Sequence, residues 1–430
     1  MATPAVIARK TSVTRALLAG LIGNILEWFD YALYGFFATA ISINFFPAQD
    51  ALVSLMLSFM VFGLGFCARP LGGFIFGHYA DKLGRKNILA ATVILMGCST
   101  FIMGVLPGYA QIGLAAPLIL TAMRLVQGVA AGGEWGSCVS FLAEYAKPHN
   151  RAFIVSFSQV GSAIGLLLGA LVGTVLSSWL TQDEVYAWGW RLAFGLGIFV
   201  AIIGYYIRKS VEETPLFQEH IETAGTNKPI KEAFQGYKKQ MVTVFLLMSG
   251  ANVTYWLVLN FMSTYISRFL KLSLTTGFTL TIITLMAYMI GLPISGYLAD
   301  RFGRKPLMLI GSAGIVIGGY PLFMLLAKAG SYGEMASIVF ALAFIFALFQ
   351  GSNTVALSEL FPTSVRCSGF SIAYQLSSAI FAGTAMAAVT WLINVTGSVM
   401  AVPLYMCGVM VITLLAVIFL YRETKDQPFA

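Results

Sequence analysis

The sequence predicts an all-α polytopic membrane protein, with twelve transmembrane helices in two pseudo-symmetric six-helix bundles and both termini in the cytoplasm. Three observations predict this fold class: the composition, the spacing of apolar segments, and a repeat between the halves of the chain. Of the 430 residues, 58% are hydrophobic and only 10% are charged. A soluble protein usually has about 25% charged residues, so most of this chain must contact lipid.

Twelve apolar segments predict the helices, because each is long enough to cross a bilayer. Their approximate bounds are 16–41, 52–79, 88–107, 113–136, 152–178, 191–208, 241–266, 276–298, 306–327, 335–358, 367–395 and 400–421.

One long polar stretch separates the first six segments from the last six. The predicted organisation is a cytoplasmic tail at 1–15, a six-helix bundle at 16–208, an inter-bundle cytoplasmic loop at 209–240, a second six-helix bundle at 241–421 and a cytoplasmic tail at 422–430.

The cations of the chain predict its orientation. Lys and Arg collect at the termini, in the middle stretch and in every second join between segments, which places that side in the cytoplasm. This topology accounts for the net charge of +8, so we expect no nucleic-acid partner. The predicted location is the cell inner (plasma) membrane, where the lipid bilayer surrounds a chain that we expect to be a monomer.

Two pairs of motifs show that the halves repeat. GHYADKLGRK (77–86) matches GYLADRFGRK (296–305), and EYAKPHNR (144–151) matches ELFPTSVR (359–366). Both pairs have nearly the same offset along the chain, which indicates a duplicated six-helix unit. Two parallel repeats around a central pathway are typical of a transporter.

These motifs also resemble a known family. The twin G-x-x-x-D-x-x-G-R-K stretches and RLVQGVAAGGE (124–134) are similar to motifs of the major facilitator superfamily. Narrower motifs resemble its metabolite:proton symporter family, which includes transporters of proline/betaine, shikimate, 2-oxoglutarate and citrate. They are GNILEWFDYALYG (23–35), FCARPLGGFIFG (66–77), AWGWRLAFG (187–195), VEETPLF (211–217) and ANVTYWLVL (251–259), the last of which resembles the proline/betaine branch.

The first predicted helix carries acids in its middle. At about 100° per residue, one stripe of this helix is polar and the other side is apolar, so the stripe is expected to face a cavity. The stripe consists of Asn24, Glu27, Tyr31 and Tyr34, with Asp30 at its edge. Contacts that only join helices are the alternative role for the two acids.

Five charged residues lie inside predicted spans: Glu27, Asp30, Arg69, Arg124 and Glu134. Each costs roughly 2.5–3.5 kcal/mol at mid-membrane, so water, pairing or protonation must offset them. The three histidines all fall near predicted cytoplasmic loops, which leaves a carboxylate to carry a proton. Glu27, Asp30 and Glu134 are the proton-coupling candidates, in that order.

An arginine within a span suits an anionic substrate group, because its N–H donors bind two carboxylate oxygens together. By the resemblance, Arg124 of the fourth helix has this role, and a fixed pair with an acid of the first helix is the alternative. For Arg69 a structural ion pair is expected, with contact to the substrate as the alternative. The candidate substrate-binding residues are Arg124, Asn24, Tyr31, Tyr34, Gln127, Gln159, Asn252, Tyr255, Trp256, Asn260, Asn353, Tyr374 and Gln375.

The repeated cytoplasmic motifs contain complementary charges that are expected to gate the pathway. Their acids suit the positive N-terminal end of a neighbouring helix. By the resemblance, such contacts hold the cytoplasmic side shut and break when it opens. The gating candidates are Asp81, Arg85, Glu144, Arg151, Asp300, Arg304, Glu359 and Arg366.

These observations predict a proton-coupled symporter that takes up a small zwitterionic or carboxylate metabolite by alternating access. A proline- or betaine-like zwitterion is favoured, since it needs one arginine and an aromatic cage such as Tyr31, Tyr34 and Trp256. Proton symport of di- or tricarboxylates (citrate, 2-oxoglutarate or shikimate-like) and uncoupled uniport are the alternatives. No metal cluster, nucleophile–base pair or nucleotide loop indicates an enzyme, and no cofactor is expected.

Overall fold

The computed structural model describes residues 24–132, 146–209, 236–362 and 365–425, apart from Gly84, and between 133 and 145 only four positions. Those four are Trp135, Val139, Leu142 and Ala143. All regular structure within these residues is helical.

Six main helices occupy the first half of the described chain, with short helical turns between them at Tyr109–Ile112, Pro148–Asn150, Gln182–Glu184 and Val185–Gly189. The main helices are α1 (24–36, continuing as Ala38–Phe45), α2 (Ala51–Leu83), α3 (Arg85–Val105), α4 (Ala115–Ala130), α5 (Arg151–Trp179) and α6 (Trp190–Gly195, continuing as Gly197–Lys209).

Six more occupy the second half, two of them with π-helical turns. They are α7 (Lys238–Leu259, continuing as Phe261–Thr264 and Tyr265–Phe269), α8 (Leu274–Phe302), α9 (Arg304–Lys328), α10 (Tyr332–Glu359), α11 (Arg366–Ser377, Ser378–Ala382 and Gly383–Thr396) and α12 (Ala401–Phe419).

The predicted order of helices is confirmed. Within the described residues, nine helical stretches are long and apolar enough to cross a membrane, and Ala91–Val105 and Ala115–Ala130 are shorter apolar helices. The first residues of α1 and most of the polar stretch 209–240 lie outside the described residues. The domain boundaries therefore stay predictions.

The predicted segments 276–298 and 306–327 leave most of GYLADRFGRK (296–305) as a loop between two helices. In the structure this stretch is almost entirely helical. Helix α8 continues through Asp300 to Phe302, and α9 begins at Arg304. Gly303 alone makes the break, with φ of +103°, a conformation that other residues rarely adopt. Because a helix satisfies its own backbone, its polar end can leave the bilayer without unfolding.

The two halves contact each other along two long helix pairs, α5 with α8 and α2 with α11. Glycines allow α5 and α8 to approach closely at both ends. A Cβ on Gly173 would lie 2.6 Å from the ring of Phe278, and one on Gly296 would lie 2.7 Å from the carbonyl oxygen of Ala152. These contacts hold α5 and α8 together at both ends.

Large apolar side chains cover the outer surface of the helices. A soluble protein rarely exposes such an apolar surface, whereas lipid solvates it well. Prominent examples are Leu118, Trp179, Ile317 and Phe419.

Candidate substrate and proton site

A small cavity lies between the two halves, and in this conformation its side chains leave room for about one water molecule. Helices α1, α2 and α5 of the first half and α7, α10 and α11 of the second half contribute to its wall. The lining residues are Trp28, Phe66, Gln159, Met248, Ala251, Asn252, Tyr255, Trp256, Gln350 and Tyr374. The wall is thus aromatic, with three amide side chains and no formal charge among these ten residues.

Three rings from opposite halves form one corner of the cavity. The ring centroid of Trp28 lies 5.0 Å from that of Tyr255 and 5.7 Å from that of Trp256, with the two indoles nearly parallel. Tyr255 and Trp256 meet at 5.6 Å. Aromatic faces in this arrangement attract a desolvated cation, because each ring face is negative.

Asn24 holds Trp28 in position. Its Nδ2 donates to the carbonyl oxygen of Ser158 at 2.9 Å and to Oγ of Ser162 at 3.1 Å, and its Oδ1 accepts from Nε1 of Trp28 at 3.0 Å. The approach of α1 to α5 that permits these bonds depends on Gly165, where a Cβ would lie 2.5 Å from the carbonyl oxygen of Ile25. Asn24 therefore orients an aromatic wall residue and is itself outside the lining.

A buried ion pair lies beside the cavity. Nη2 of Arg69 is 2.6 Å from Oε1 of Glu27, and both side chains are fully buried. The guanidinium carbon lies 5.5 Å from the ring centroid of Tyr31 and 5.6 Å from that of Phe66, a lining residue. The structural pair that the sequence predicted for Arg69 is thus present.

Arg124 has different surroundings. Its guanidinium carbon lies 4.6–4.9 Å from three ring centroids, those of Tyr31, Tyr34 and Phe62. Nη1 donates to Oε1 of Gln127 at 2.7 Å. Within the described residues Arg124 forms no ion pair, so aromatic faces, the amide of Gln127 and the carbonyl oxygen of Phe62 stabilise its charge.

Asp30 is buried next to this arginine, with 2% of its surface exposed. In the part of the chain that the structure describes, neither of its carboxylate oxygens has a hydrogen bond. Thr100 is adjacent, but its hydroxyl already donates to Met96 and accepts from Gln127. A buried carboxylate without a donor is costly, so protonation or the charge of Arg124 must offset it.

Five of the predicted binding residues line the cavity, and eight lie outside its lining. Those in the wall are Gln159, Asn252, Tyr255, Trp256 and Tyr374. Outside that lining lie Asn24, Tyr31, Tyr34, Arg124, Gln127, Asn260, Asn353 and Gln375.

Each of these outer residues has another contact. Tyr34 donates its hydroxyl to the carbonyl oxygen of Ser58, and Asn353 donates to the sulfur of Met248. Gln375 donates to the carbonyl oxygen of Gly132, which joins α11 to the first half. Asn260 packs against Gly35.

Several wall residues were not predicted from the sequence. Trp28 was not expected there, because its position lay beside the polar stripe of α1. Phe66, Met248 and Ala251 are apolar residues in apolar helices and carry no signal by which they stand out. The one signal in the sequence that Trp28 lines the cavity was its position between two intramembrane acids, in the stretch EWFD.

A charge cluster closes the end of the molecule that the loop cations assign to the cytoplasm. Oδ1 and Oδ2 of Asp300 accept backbone N–H groups of Ala152 and Phe153, each at 2.9 Å, at the N-terminus of α5. Glu359 accepts from Nε and Nη2 of Arg304 at 3.1 and 3.0 Å, and from Nη1 of Arg151 at 3.3 Å. These contacts join α5 to α8 and α10, across the two halves.

The end of the chain adds to this cluster. Oε1 and Oε2 of Glu423 accept the backbone N–H groups of Arg304 and Lys305 at 2.9 Å, which caps the start of α9. Thr424 donates its hydroxyl to Glu359. The residues after α12 are thereby bound to this charge cluster, a contact that the sequence did not reveal.

Five of the predicted coupling and gating residues cannot be compared with these contacts. Glu134 and Glu144 lie outside the described residues, as do the side chains of Asp81, Arg85 and Arg366.

Comparison with known proteins identifies the family. A family model described as "Sugar (and other) transporter" matches residues 16–224 and 218–430. The glycine betaine/proline/ectoine/pipecolic acid transporter OusA of Dickeya dadantii (strain 3937) is 35% identical over 424 residues, which are 96% of this chain and 84% of that protein. The proline/betaine transporter of Escherichia coli (strain K12) is 34% identical over 424 residues, with the same two shares.

Solved structures confirm the fold. The xylose transporter XylE from E. coli, in a partially occluded inward-open conformation, superposes with a TM-score of 0.76 at 19% identity, over 97% of this chain and 99% of that chain. The crystal structure of a D-xylose-proton symporter gives a TM-score of 0.73 at 19% identity, over 96% and 99%.

The helix arrangement, the family model and the transporter relatives define a multi-pass membrane transporter rather than an enzyme. The chain belongs to the sugar (and other) transporter family, within the major facilitator superfamily. Its proline/betaine relatives confirm the resemblance to the metabolite:proton symporter family.

Proposed function

We propose that the protein is a proton-coupled symporter that takes up a small zwitterion of the proline or betaine type by alternating access. The observation that carries this proposal is the aromatic corner of Trp28, Tyr255 and Trp256 in a cavity beside one buried acid–arginine pair. The relatives described above, which include proline and glycine betaine transporters, support the same substrate class.

The aromatic corner suits the nitrogen of such a substrate. A cation over desolvated aromatic faces gains about 2 kcal/mol, and a quaternary ammonium has no N–H groups that need acceptors. The amides of Gln159, Asn252 and Gln350 supply polar contacts for the rest of the molecule. Oε1 of Gln350 has no hydrogen-bond partner within the described residues, so it is available to an N–H donor such as that of proline.

The charge balance of the site disfavours citrate-like substrates. The described lining carries no cation, and Glu27 neutralises the adjacent Arg69. A tricarboxylate would bring several negative charges next to one compensated arginine, and a buried uncompensated charge is costly. A zwitterion brings no net charge.

The proton is proposed to travel on a carboxylate of α1. Glu27 and Asp30 are both fully buried near arginines, and Glu27 lies beside the cavity. A carboxylate whose arginine contact changes during the cycle binds a proton in one state and releases it in the other. We retain the other predicted binding residues, Arg124 among them, as candidates for contact in states other than the enclosed one.

Proteoliposomes containing the purified protein test the proposal. With an inward proton gradient, we expect accumulation of glycine betaine and proline, and loss of accumulation when a protonophore is added. Accumulation of citrate, 2-oxoglutarate or shikimate instead would contradict the substrate class. Equilibration of betaine that ignores the protonophore would indicate a uniporter. Liposomes with a Trp256→Ala variant are the control for passage through this cavity.

A further inference from the structure

We propose that the cavity selects a zwitterion that keeps an N–H group, such as proline, over one whose nitrogen is fully methylated, such as glycine betaine. The hydroxyl of Tyr255 binds the substrate carboxylate, and the amide oxygen of Gln350 binds the substrate N–H. This inference rests on the proposed function and narrows its substrate class to amino acids with a primary or secondary ammonium group.

Two wall residues of the second half carry polar atoms that are buried without a partner. Tyr255 of α7 has 5% of its surface exposed and Gln350 of α10 has 2%, and both line the cavity. Within the described residues, neither the hydroxyl of Tyr255 nor Oε1 of Gln350 has a hydrogen bond. Since a buried polar group without a partner is costly, most such groups in proteins have one. A ligand that enters the cavity can supply the partner of each group.

The other strong hydrogen-bonding groups nearby are engaged or lie outside the wall. Nδ2 of Asn252 donates to Oγ of Ser377 at 3.4 Å. Among the amides of the wall, Gln350 is the one whose oxygen is buried without a donor in the part of the chain that the structure describes. Arg69 and Arg124 are not among the ten lining residues. A neutral hydroxyl is therefore the donor that the wall offers to a carboxylate.

The two free groups are complementary to an amino acid. An amide oxygen can only accept a hydrogen bond, whereas a phenol can donate one to a carboxylate. The rings of Trp28, Tyr255 and Trp256 attract any ammonium group, methylated or not, so they do not discriminate between the two kinds of nitrogen. A fully methylated nitrogen would place methyl groups against Oε1 of Gln350 and leave this oxygen without a donor. Discrimination therefore falls to Gln350.

Water can occupy the same two groups when no substrate is bound, because it both donates and accepts. In this conformation the wall leaves room for about one water molecule, so the cavity must widen during alternating access to admit a substrate. A ligand that displaces the water and cannot reproduce its hydrogen bonds loses affinity. Proline reproduces both bonds, whereas glycine betaine reproduces only the bond from Tyr255.

Three ligands that differ only at the nitrogen test the selection. Proline, N-methylproline and N,N-dimethylproline share a ring and a carboxylate and carry two, one and no N–H groups in turn. Binding to the purified full-length protein is measured by calorimetry. We expect the affinity of the wild type to fall mainly at the second methylation, by about tenfold or more. Equal affinity for all three, or a loss that comes with the first methyl group and so reflects size, would overturn the inference.

Gln350→Leu removes the acceptor at similar side-chain volume. This variant is expected to bind N-methylproline and N,N-dimethylproline within about twofold of each other, because neither methylation then removes a hydrogen bond. It should fold, since an apolar side chain replaces a buried group that has no partner. If it does not fold, Gln350→Met gives the same comparison with an unbranched side chain. Discrimination that persists unchanged without the acceptor would overturn the inference.

Tyr255→Phe tests the other contact, because it removes the hydroxyl and keeps the ring. It is expected to weaken binding of all three ligands alike, by about threefold to tenfold, since all three have the carboxylate. Tyr288→Phe is the matched control. Its hydroxyl is also buried without a hydrogen bond among the described residues, and its ring lies 6.0 Å from that of Tyr255, but it does not line the cavity. Unchanged binding in Tyr255→Phe, or an equal loss in Tyr288→Phe, would overturn the assignment of the carboxylate.

Failure of this inference differs measurably from failure of the proposed function. A wild type that binds glycine betaine or N,N-dimethylproline as tightly as proline would overturn the inference and leave the proposed function in place. A wild type that binds none of these zwitterions would remove the proposed function itself.

Discussion

Gly63 and Gly383 bring the backbones of α2 and α11 into direct contact between the two halves. A Cβ on Gly63 would lie 2.2 Å from the carbonyl oxygen of Gly383, and a Cβ on Gly383 would lie 3.0 Å from the carbonyl oxygen of Gly63. Backbone atoms cannot move aside as a flexible side chain can. The halves therefore approach this closely because Gly63 lacks a side chain, whereas a Cβ on Gly383 would require only a small shift of its neighbours.

Gly63→Ala is expected to slow transport severalfold while the protein still folds. The added methyl group must push α11 away, which disfavours the enclosed state through which alternating access passes. The measurement is the initial uptake rate in proteoliposomes together with thermal stability. Gly408→Ala in α12 is the matched control, because a Cβ there has nothing within 4 Å, and it should leave both quantities unchanged. Equal rates for Gly63→Ala and wild type would contradict the prediction.

Asp30→Asn is expected to stabilise the protein and impair its function together. The side chain is buried, and its carboxylate has no hydrogen bond among the described residues, so a neutral amide should raise the free energy of unfolding by about 1 kcal/mol or more. Active accumulation should fall if the acid serves proton coupling. Thermal unfolding and gradient-driven uptake measure the two effects. A less stable variant would show that Asp30 has a stabilising cation.

Glu359→Gln is expected to loosen the cytoplasmic end of the molecule. The neutral side chain keeps its size but weakens charge-assisted bonds from Arg151 and Arg304, each worth roughly 1.5–3 kcal/mol. Cysteine labelling of residues on the cavity wall from the cytoplasmic side should become faster. Glu334→Gln makes the same chemical change at the other end of α10 and should not alter labelling. Unchanged labelling in Glu359→Gln would show that the cluster does not hold this side shut.

The contacts of Glu423 predict that the folding stability of the protein depends on pH. Burial alone raises the pKa of this carboxyl, but backbone N–H donors from Arg304, Lys305, Lys425 and Thr424 together lower the pKa below its ordinary value of 4.5. A lowered folded-state pKa adds stability that is complete above the unfolded-state pKa and is lost as the pH falls through the folded-state pKa.

The wild type should therefore exceed Glu423→Gln in melting temperature at neutral pH, and the difference should shrink as the pH falls below about 4.5. Melting of both proteins across this range is the measurement. A difference that stays constant at acidic pH would mean that the carboxylate does not cap α9 in solution.

The positions of the helices could be predicted from the sequence because a chain that crosses a bilayer needs long apolar segments, and few structures other than helices can span it. The error at 296–305 has the same origin. Hydropathy locates where a helix leaves lipid but not where the helix ends, and the end depended on a single glycine, Gly303.

The partners of the buried charges were harder to predict from the sequence. The sequence identified Glu27, Arg69 and Arg124 as intramembrane charges, but it could not decide which arginine faces which acid. That choice depends on the rotation and crossing of α1, α2 and α4, which side-chain packing sets and hydropathy does not encode. Wall residues such as Met248 were missed for the same reason, since any apolar residue of α7 fits the pattern equally well.

Glu27 and Arg69 lie on consecutive helices, and this order affects how the nascent chain inserts into the bilayer. The two residues are 42 positions apart, on consecutive helices, so neither waits for the second half of the protein to be synthesised. A lone carboxylate on α1 costs about 2.5–3.5 kcal/mol at mid-membrane, and the arrival of α2 at the translocon offsets it. The first two helices are therefore suited to insert together as a hairpin, in which the charges of Glu27 and Arg69 cancel.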